Sequence, residues 1–259
     1  MRGNSARLSE SDGSPARICF RESGRASGEL SVATELTPAP VAALAPAPPA
    51  RGTKRALGAA VAAVLAAAAF LVVLHVDRYW GPIDPVSAML SDYAWTPGWW
   101  MWAAAMLLTS AGSVVVAAVL RRRKILYGVL TVVAIVAWCA GLAAVALFTK
   151  DPQGNAVTWV GKVHLGATGI SCVSLPLAGW LLGWTHRNSP RWRGYARWSR
   201  ILAVAAVPFF LPFLIPFAAN VAFGQHLPTV ATGLVERLMA VLELVELLVL
   251  AGWAWRAAE

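Results

Sequence analysis

Charge is scarce in this chain. Only 14% of its 259 residues are Asp, Glu, Lys or Arg, against about 25% in soluble domains. With 58% hydrophobic residues and a mean hydropathy of +0.60, a water-soluble globule is excluded. Cysteine is almost as rare: Cys19, Cys139 and Cys172 show no CxxC or His-paired spacing. That removes a disulfide framework and a thiolate metal site, and leaves Cys139 and Cys172 as small buried hydrophobes. Catalytic signatures are missing too, since the sequence holds no GxSxG, P-loop, GxGxxG or HExxH, and with them go the chemistries those motifs perform.

What the chain has is long apolar runs. A membrane-spanning helix needs about 20 predominantly apolar residues, and six stretches qualify: residues 56–76, 99–120, 125–148, 161–184, 201–223 and 233–255. The expected fold is therefore all-α, a polytopic bundle of six transmembrane helices over residues 56–256. Residues 1–55, rich in Ser, Gly, Arg and Glu and then in Pro and Ala, lack the periodicity to bury a core and read as a disordered cytoplasmic tail. The basic RGTKR stretch ahead of the first apolar run imitates a secretory leader. That run is long enough to span, and further spans follow, so cleavage is not expected.

The net charge of +9 would in a soluble chain suggest nucleic-acid binding. Here its distribution says otherwise. The tail is net +3, the two connections at residues 121–124 and 187–200 hold nine basic residues and no acid, and the remainder is net −3. Cytoplasmic loops hold the excess of Lys and Arg, so both termini are expected in the cytoplasm of a multi-pass cell-membrane protein. The segment RNSPRWRGYARWSR then lies on anionic headgroups, and no nucleic-acid partner is expected. Tryptophans at 80, 95, 99, 100, 102 and 159 mark the outer face, and those at 180, 184, 192, 198, 253 and 255 the inner.

Ionisable groups inside spans are costly and mark candidate sites. The last span carries Glu236, Arg237, Glu243 and Glu246. At about 100° per residue, Glu236 and Glu243 share a face and Glu246 lies beside them, so the acids form one stripe that must face protein. His75, His164 and His226 fall near the outer boundary, without the spacing of a metal-binding helix; no metal and no cofactor is expected. Pro208, Pro212 and Pro216 recur at i, i+4 in the fifth span and free the carbonyls of Val204, Pro208 and Pro212, which suits a kink facing a cavity or neighbouring helices. Asp84 followed by Pro85 reads as the start of a short outer helix closing at Asp92. Gly58 with Ala62, Ser113 with Ala117 and Gly179 with Gly183 are spaced for close helix contact.

Three motifs carry a resemblance: MLSDYAW at residues 89–95, FTKDPQGN at 148–155 followed by GKVH at 161–164, and GLVER at 233–237. Over residues 56–256 the chain resembles a bacterial, actinobacterial-type family of six-helix membrane proteins catalogued as a domain of unknown function. The family's FPTD reads FTKD here, with Lys150 the departure and Asp151 retained. The resemblance points to Ser91, Asp92, Asp151, His164 and Arg237 as an outer polar set, to which the span analysis adds Glu236 and Glu243. The expected role is binding of a lipid headgroup or small molecule at an outward-facing polar site in the bilayer. An intramembrane hydrolase or lipid-remodelling enzyme using the outer Asp and His groups is the alternative, and an accessory subunit of a membrane complex the third reading. The sequence sets no oligomeric state.

Overall fold

The computed structural model describes residues 51–152, 156, 158–224 and 231–259. The expectations for the tail at 1–50, for Cys19 and for His226 lie outside the described residues. Six α-helices are described: α1 (Arg51–Val76), α2 (Trp99–Arg122), α3 (Val129–Leu147), α4 (Trp159–Thr185), α5 (Arg193–Phe223) and α6 (Thr232–Ala257), with a 3-10 helix at Leu90–Trp95 between α1 and α2. No strand occurs among the described residues. Five helices, α1 to α5, contain stretches long and apolar enough to cross a membrane.

Helices adjacent in sequence pack as antiparallel hairpins, while α6 packs on α5 and also touches α1, α2 and α4. The helix with most of the ionisable groups is thus one with neighbours on several sides. From Thr232 to Trp253 its exposed side chains are Leu234, Leu238, Val241, Val245 and Leu248, all on one face, with Trp255 and Arg256 exposed at its C-terminal end, whereas Glu243 and Glu246 are buried. A helix in water shows the reverse. Apolar outside and acidic inside is the pattern of a helix whose outer neighbour is lipid.

Between helices already in lipid, apolar burial supplies little drive and close packing supplies most. A Cβ on Gly112 of α2 would press on Val64 and the Ala60 carbonyl of α1, and one on Gly141 of α3 would meet Ser171 and the Ala167 carbonyl of α4. Gly179 and Gly183 also face close neighbours, as their spacing suggested. Gly58 does not: nothing lies within 4 Å of its Cβ position, and Ala62 is exposed. Two apolar clusters result. One is built on Leu57, Leu120, Leu182, Leu250 and Trp253; the other, on Leu74, Tyr93, Met101 and Trp102, underlies the 3-10 helix.

Several boundaries shift from the sequence reading. Residues 125–128 are a turn and not the start of a span, because Lys124 and Gly128 take positive φ values of 55° and 87° while Ile125 and Leu126 are buried as loop residues. Helix α5 starts at Arg193, inside the basic connection. Trp102 and Trp253 are buried at 3% and 0% exposure, so both are core residues and not part of an interfacial belt. Helix α5 runs unbroken through Pro208, Pro212 and Pro216. A small cavity, with room for about one water, lies instead against α2, α3, α4 and α6, between Ser113, Trp138, Leu175 and Leu247.

Candidate functional site

The first connection, from Asp77 to Gly98, is held down by side chains far from it in sequence. Asp84 starts a single turn, not the helix expected. Its carboxylate accepts from the Val86 and Ser87 amides at 3.2 and 3.1 Å and from the Ser87 hydroxyl at 2.5 Å, and the Ser87 hydroxyl and these amides hold it below the usual carboxylate range. The helix that follows is 3-10 and begins at Leu90, so Asp92 lies in its first turn and does not close it. There Asp92 Oδ2 accepts from the Met89 amide at 2.7 Å, satisfying a backbone donor left free at a helix start.

Four contacts fasten this connection to the start of α6. The Leu234 amide donates to the Val86 carbonyl at 3.0 Å and the Thr232 hydroxyl to the Ser87 carbonyl at 3.3 Å. Arg237 Nη1 donates to the Ala88 carbonyl at 2.6 Å, and Glu236 Oε2 accepts from the Leu90 amide at 2.7 Å. Close approach is required here, since a Cβ on Gly233 would collide with the Ala88 carbonyl.

Arg237 also reaches α1, where its Nε donates to Nε2 of His75 at 2.6 Å. The chemistry of the partners fixes the tautomer of His75. Its Nδ1 faces the Leu71 carbonyl at 2.5 Å and must carry the hydrogen, while Nε2 must present a lone pair to a guanidinium that can only donate. Tyr93 completes the surroundings, with its ring centroid 5.5 Å from that of His75 and 5.7 Å from the Arg237 guanidinium carbon. The Arg237 Nη2 atom is buried and has no hydrogen-bond partner among the described residues.

A second knot forms where the α3–α4 connection meets α4. Asp151 accepts from the Thr158 amide at 2.7 Å and the Thr158 hydroxyl at 2.8 Å. Thr158 in turn caps α4 by accepting from the Gly161 amide at 3.1 Å. His164, 4% exposed, is 2.7 Å through Nδ1 from the Phe148 carbonyl, so Nδ1 donates and Nε2 keeps its lone pair. Its ring lies 6.2 Å from that of Trp102.

Lys150 joins the two knots. Its Nζ is 2.5 Å from Asp92 Oδ1, with both side chains about six-sevenths buried, and the pair lies within electrostatic range of Glu236. The structure therefore brings Ser91, Asp92, Glu236 and Arg237 to one place. Asp151 and His164 occupy the adjoining knot, and Glu243 lies two turns deeper on α6. His75 and Lys150 belong to the arrangement although neither was in the expected set; a lone Lys next to Asp151 at a span end was the available signal for the second. Among the described residues no three His, Cys, Asp or Glu side chains are grouped to hold a metal ion.

Residues 60–253 match the family described as "Protein of unknown function (DUF998)". The chain belongs to this family. No curated protein and no solved structure matches it. The DUF998 match covers every residue of both knots and all six helices apart from their outermost turns at the two ends.

Proposed function

We propose that this DUF998 protein crosses the cell membrane six times, with both ends in the cytoplasm, and binds an anionic lipid headgroup or small anionic solute at its outer polar face without transforming it. Arg237 carries the reading. A guanidinium has five N–H groups and keeps its charge in proteins. Nε and Nη1 are engaged by His75, Ala88 and Gly233, all of them neutral acceptors. Among the described residues the buried Nη2 has no partner, and neither ion pair includes Arg237.

The Glu236 and Asp84 carboxylates lie within electrostatic range of this cation without hydrogen-bonding to it, and two free N–H groups on one nitrogen suit a phosphate or carboxylate oxygen. The competing hydrolase reading requires a carboxylate free to act with His164. The nearby acids are otherwise engaged: Asp92 with Lys150 and the Met89 amide, Asp151 with Thr158, and Glu236 with the Leu90 amide. The apolar outer face of α6 supports counting it as the sixth span.

The test is mass spectrometry of lipids and small anions that co-purify with the full chain. Arg237→Ala is expected to lose an anionic species that wild type retains, and Arg237→Lys to keep part of it. An unchanged profile in Arg237→Ala rejects the site. Orientation is tested by thiol labelling of intact cells after placing cysteine at Asp92 and at Trp192. Outside reagent is expected to reach only the first, and labelling of both overturns the topology.

A further inference from the structure

Glu246 lies 14 residues along α6 from Thr232, a distance of about 21 Å at 1.5 Å per residue, well below the outer knots. It is 2% exposed, and neither carboxyl oxygen has a hydrogen-bond partner among the described residues. Ser199 of α5 is 0% exposed and its hydroxyl is likewise unpartnered. The hydroxyl lies beside the Glu246 carboxyl without closing a hydrogen bond of good geometry. From the third side, α4 presents Gly179, where a Cβ would collide with the carboxyl of Glu246. The glycine is a notch into which this acid fits.

Three helices thus enclose three oxygens, and the only hydrogen they bring is that of the Ser199 hydroxyl. An ionised carboxylate here would be a bare charge away from water, a state that costs far more than placing a cation or proton on it. No basic side chain supplies the charge, because neither ion pair among the described residues involves Glu246. Titratable and charged groups on the neighbouring elements are Lys162, His164 and Cys172 on α4, Arg193, Tyr195, Arg197 and Arg200 on α5, Arg121 and Arg122 on α2, Arg51, Lys54, Arg55 and His75 on α1, and Asp92 and Tyr93 on the 3-10 helix; α6 itself adds Glu236, Arg237, Glu243 and Arg256. Arg200 directs its Nε to the Ala196 carbonyl of its own helix at 3.4 Å. A proton on Glu246 resolves the arrangement: it removes the bare charge and supplies an O–H that the Ser199 hydroxyl, free of other partners among the described residues, can accept after a small rotation.

We propose that Glu246, Ser199 and the notch at Gly179 form an intramembrane proton-binding site, separate from the outer polar face. Glu243, 8% exposed with an unpartnered Oε1, is the next acid along the same column, three residues toward the outer end. The column of acids continues along α6 to Glu236.

The test uses the full chain in lipid nanodiscs and dicyclohexylcarbodiimide, which adds to protonated carboxyl groups in apolar surroundings. Peptide mass spectrometry is expected to find the adduct on Glu246 at neutral pH. Labelling should fall at least threefold in alkali and vanish in Glu246→Gln. Ser199→Ala should remain labelled, with the midpoint of its pH dependence moved. Infrared spectroscopy supplies a measurement that needs no acid-to-amide variant: wild type should show the carbonyl band of a protonated acid, displaced in Ser199→Ala. Absence of a Glu246 adduct at every pH overturns the proposal, as does absence of the carbonyl band. Suppression of labelling by sodium but not potassium at fixed pH also overturns it, in favour of a metal cation.

Discussion

His75 and Arg237 meet across 162 positions of sequence, with the guanidinium Nε donating to the imidazole Nε2 at 2.6 Å. The bond ties the last turn of α1 to the first turns of α6, and through the Ala88 carbonyl to the connection between α1 and α2. It exists only while Nε2 is bare. A second proton on the ring would set two donors and two positive charges against each other.

From this follows an acid sensitivity of the junction between α1 and α6. The contribution of the His75–Arg237 contact is present when His75 is neutral and is lost as pH falls through its titration. His75→Ala should remove it at every pH, destabilising by about 1–3 kcal/mol, the usual cost of leaving a buried donor unpaired. Thermal unfolding in detergent at several pH values checks this: the gap between wild type and variant should narrow in acid.

Lys150 and Asp92 give a second prediction. Asp92→Asn weakens both the ion pair and the bond to the Met89 amide, whereas Lys150→Met removes the pair alone. Breaking a pair this well buried should cost about 1–3 kcal/mol, less than a fully buried one because water reaches both groups. The aspartate variant should be the more destabilised of the two. A double-mutant cycle over positions 92 and 150 should show coupling, and additive effects would mean that the pair contributes nothing.

Glycines divide into two sets with opposite responses. At Gly141 a Cβ would sit 3.0 Å from the Ser171 Cβ, so Gly141→Val should separate α3 from α4 and cost about 1–3 kcal/mol. Gly58 has open space at its Cβ position, and Gly58→Ala should be neutral or stabilising by up to about 1 kcal/mol through helix propensity. Paired melting curves decide it.

Asp84 sets a local pH limit on the turn that follows α1. Its carboxyl is held low by the Ser87 hydroxyl and the Val86 and Ser87 amides, so its contribution is complete above the ordinary aspartate range and is lost as pH falls through the lowered value. Amide hydrogen exchange at Ser87 and Ala88 should stay slow at mildly acidic pH and accelerate only below that range. Asp84→Ala should exchange rapidly at all pH values.

The five long apolar helices and the acidic stripe of α6 were legible because each is a pattern within one segment: Glu236 and Glu243 are seven residues apart whatever surrounds them. The cap on α4 was half legible. Thr158 three residues before Gly161 is a local N-cap signal, whereas the bonds from Thr158 to Asp151 join residues seven apart across a connection and follow no local pattern. The junctions were not legible, because Lys150 with Asp92 and His75 with Arg237 depend on which loops the helices bring together. The start of α5 was hidden by composition, since Arg and Trp that snorkel from a helix end look like a loop. The difference between Gly58 and Gly141 depends on what stands opposite each, which periodicity does not report.

The buried acids of α6 also bear on how the chain enters a bilayer. Each charged group near the centre of a helix adds about 2.5–3.5 kcal/mol to the cost of insertion, so α6 alone is a poor candidate for release into lipid. The other helices provide what it lacks, a notch at Gly179 for Glu246 and acceptors on α1 and its following connection for Arg237. With α6 as the sixth span proposed above, its insertion depends on partners synthesised before it. A glycosylation reporter placed after α6 should show efficient crossing in the whole chain and poor crossing when α6 is presented to the translocon by itself.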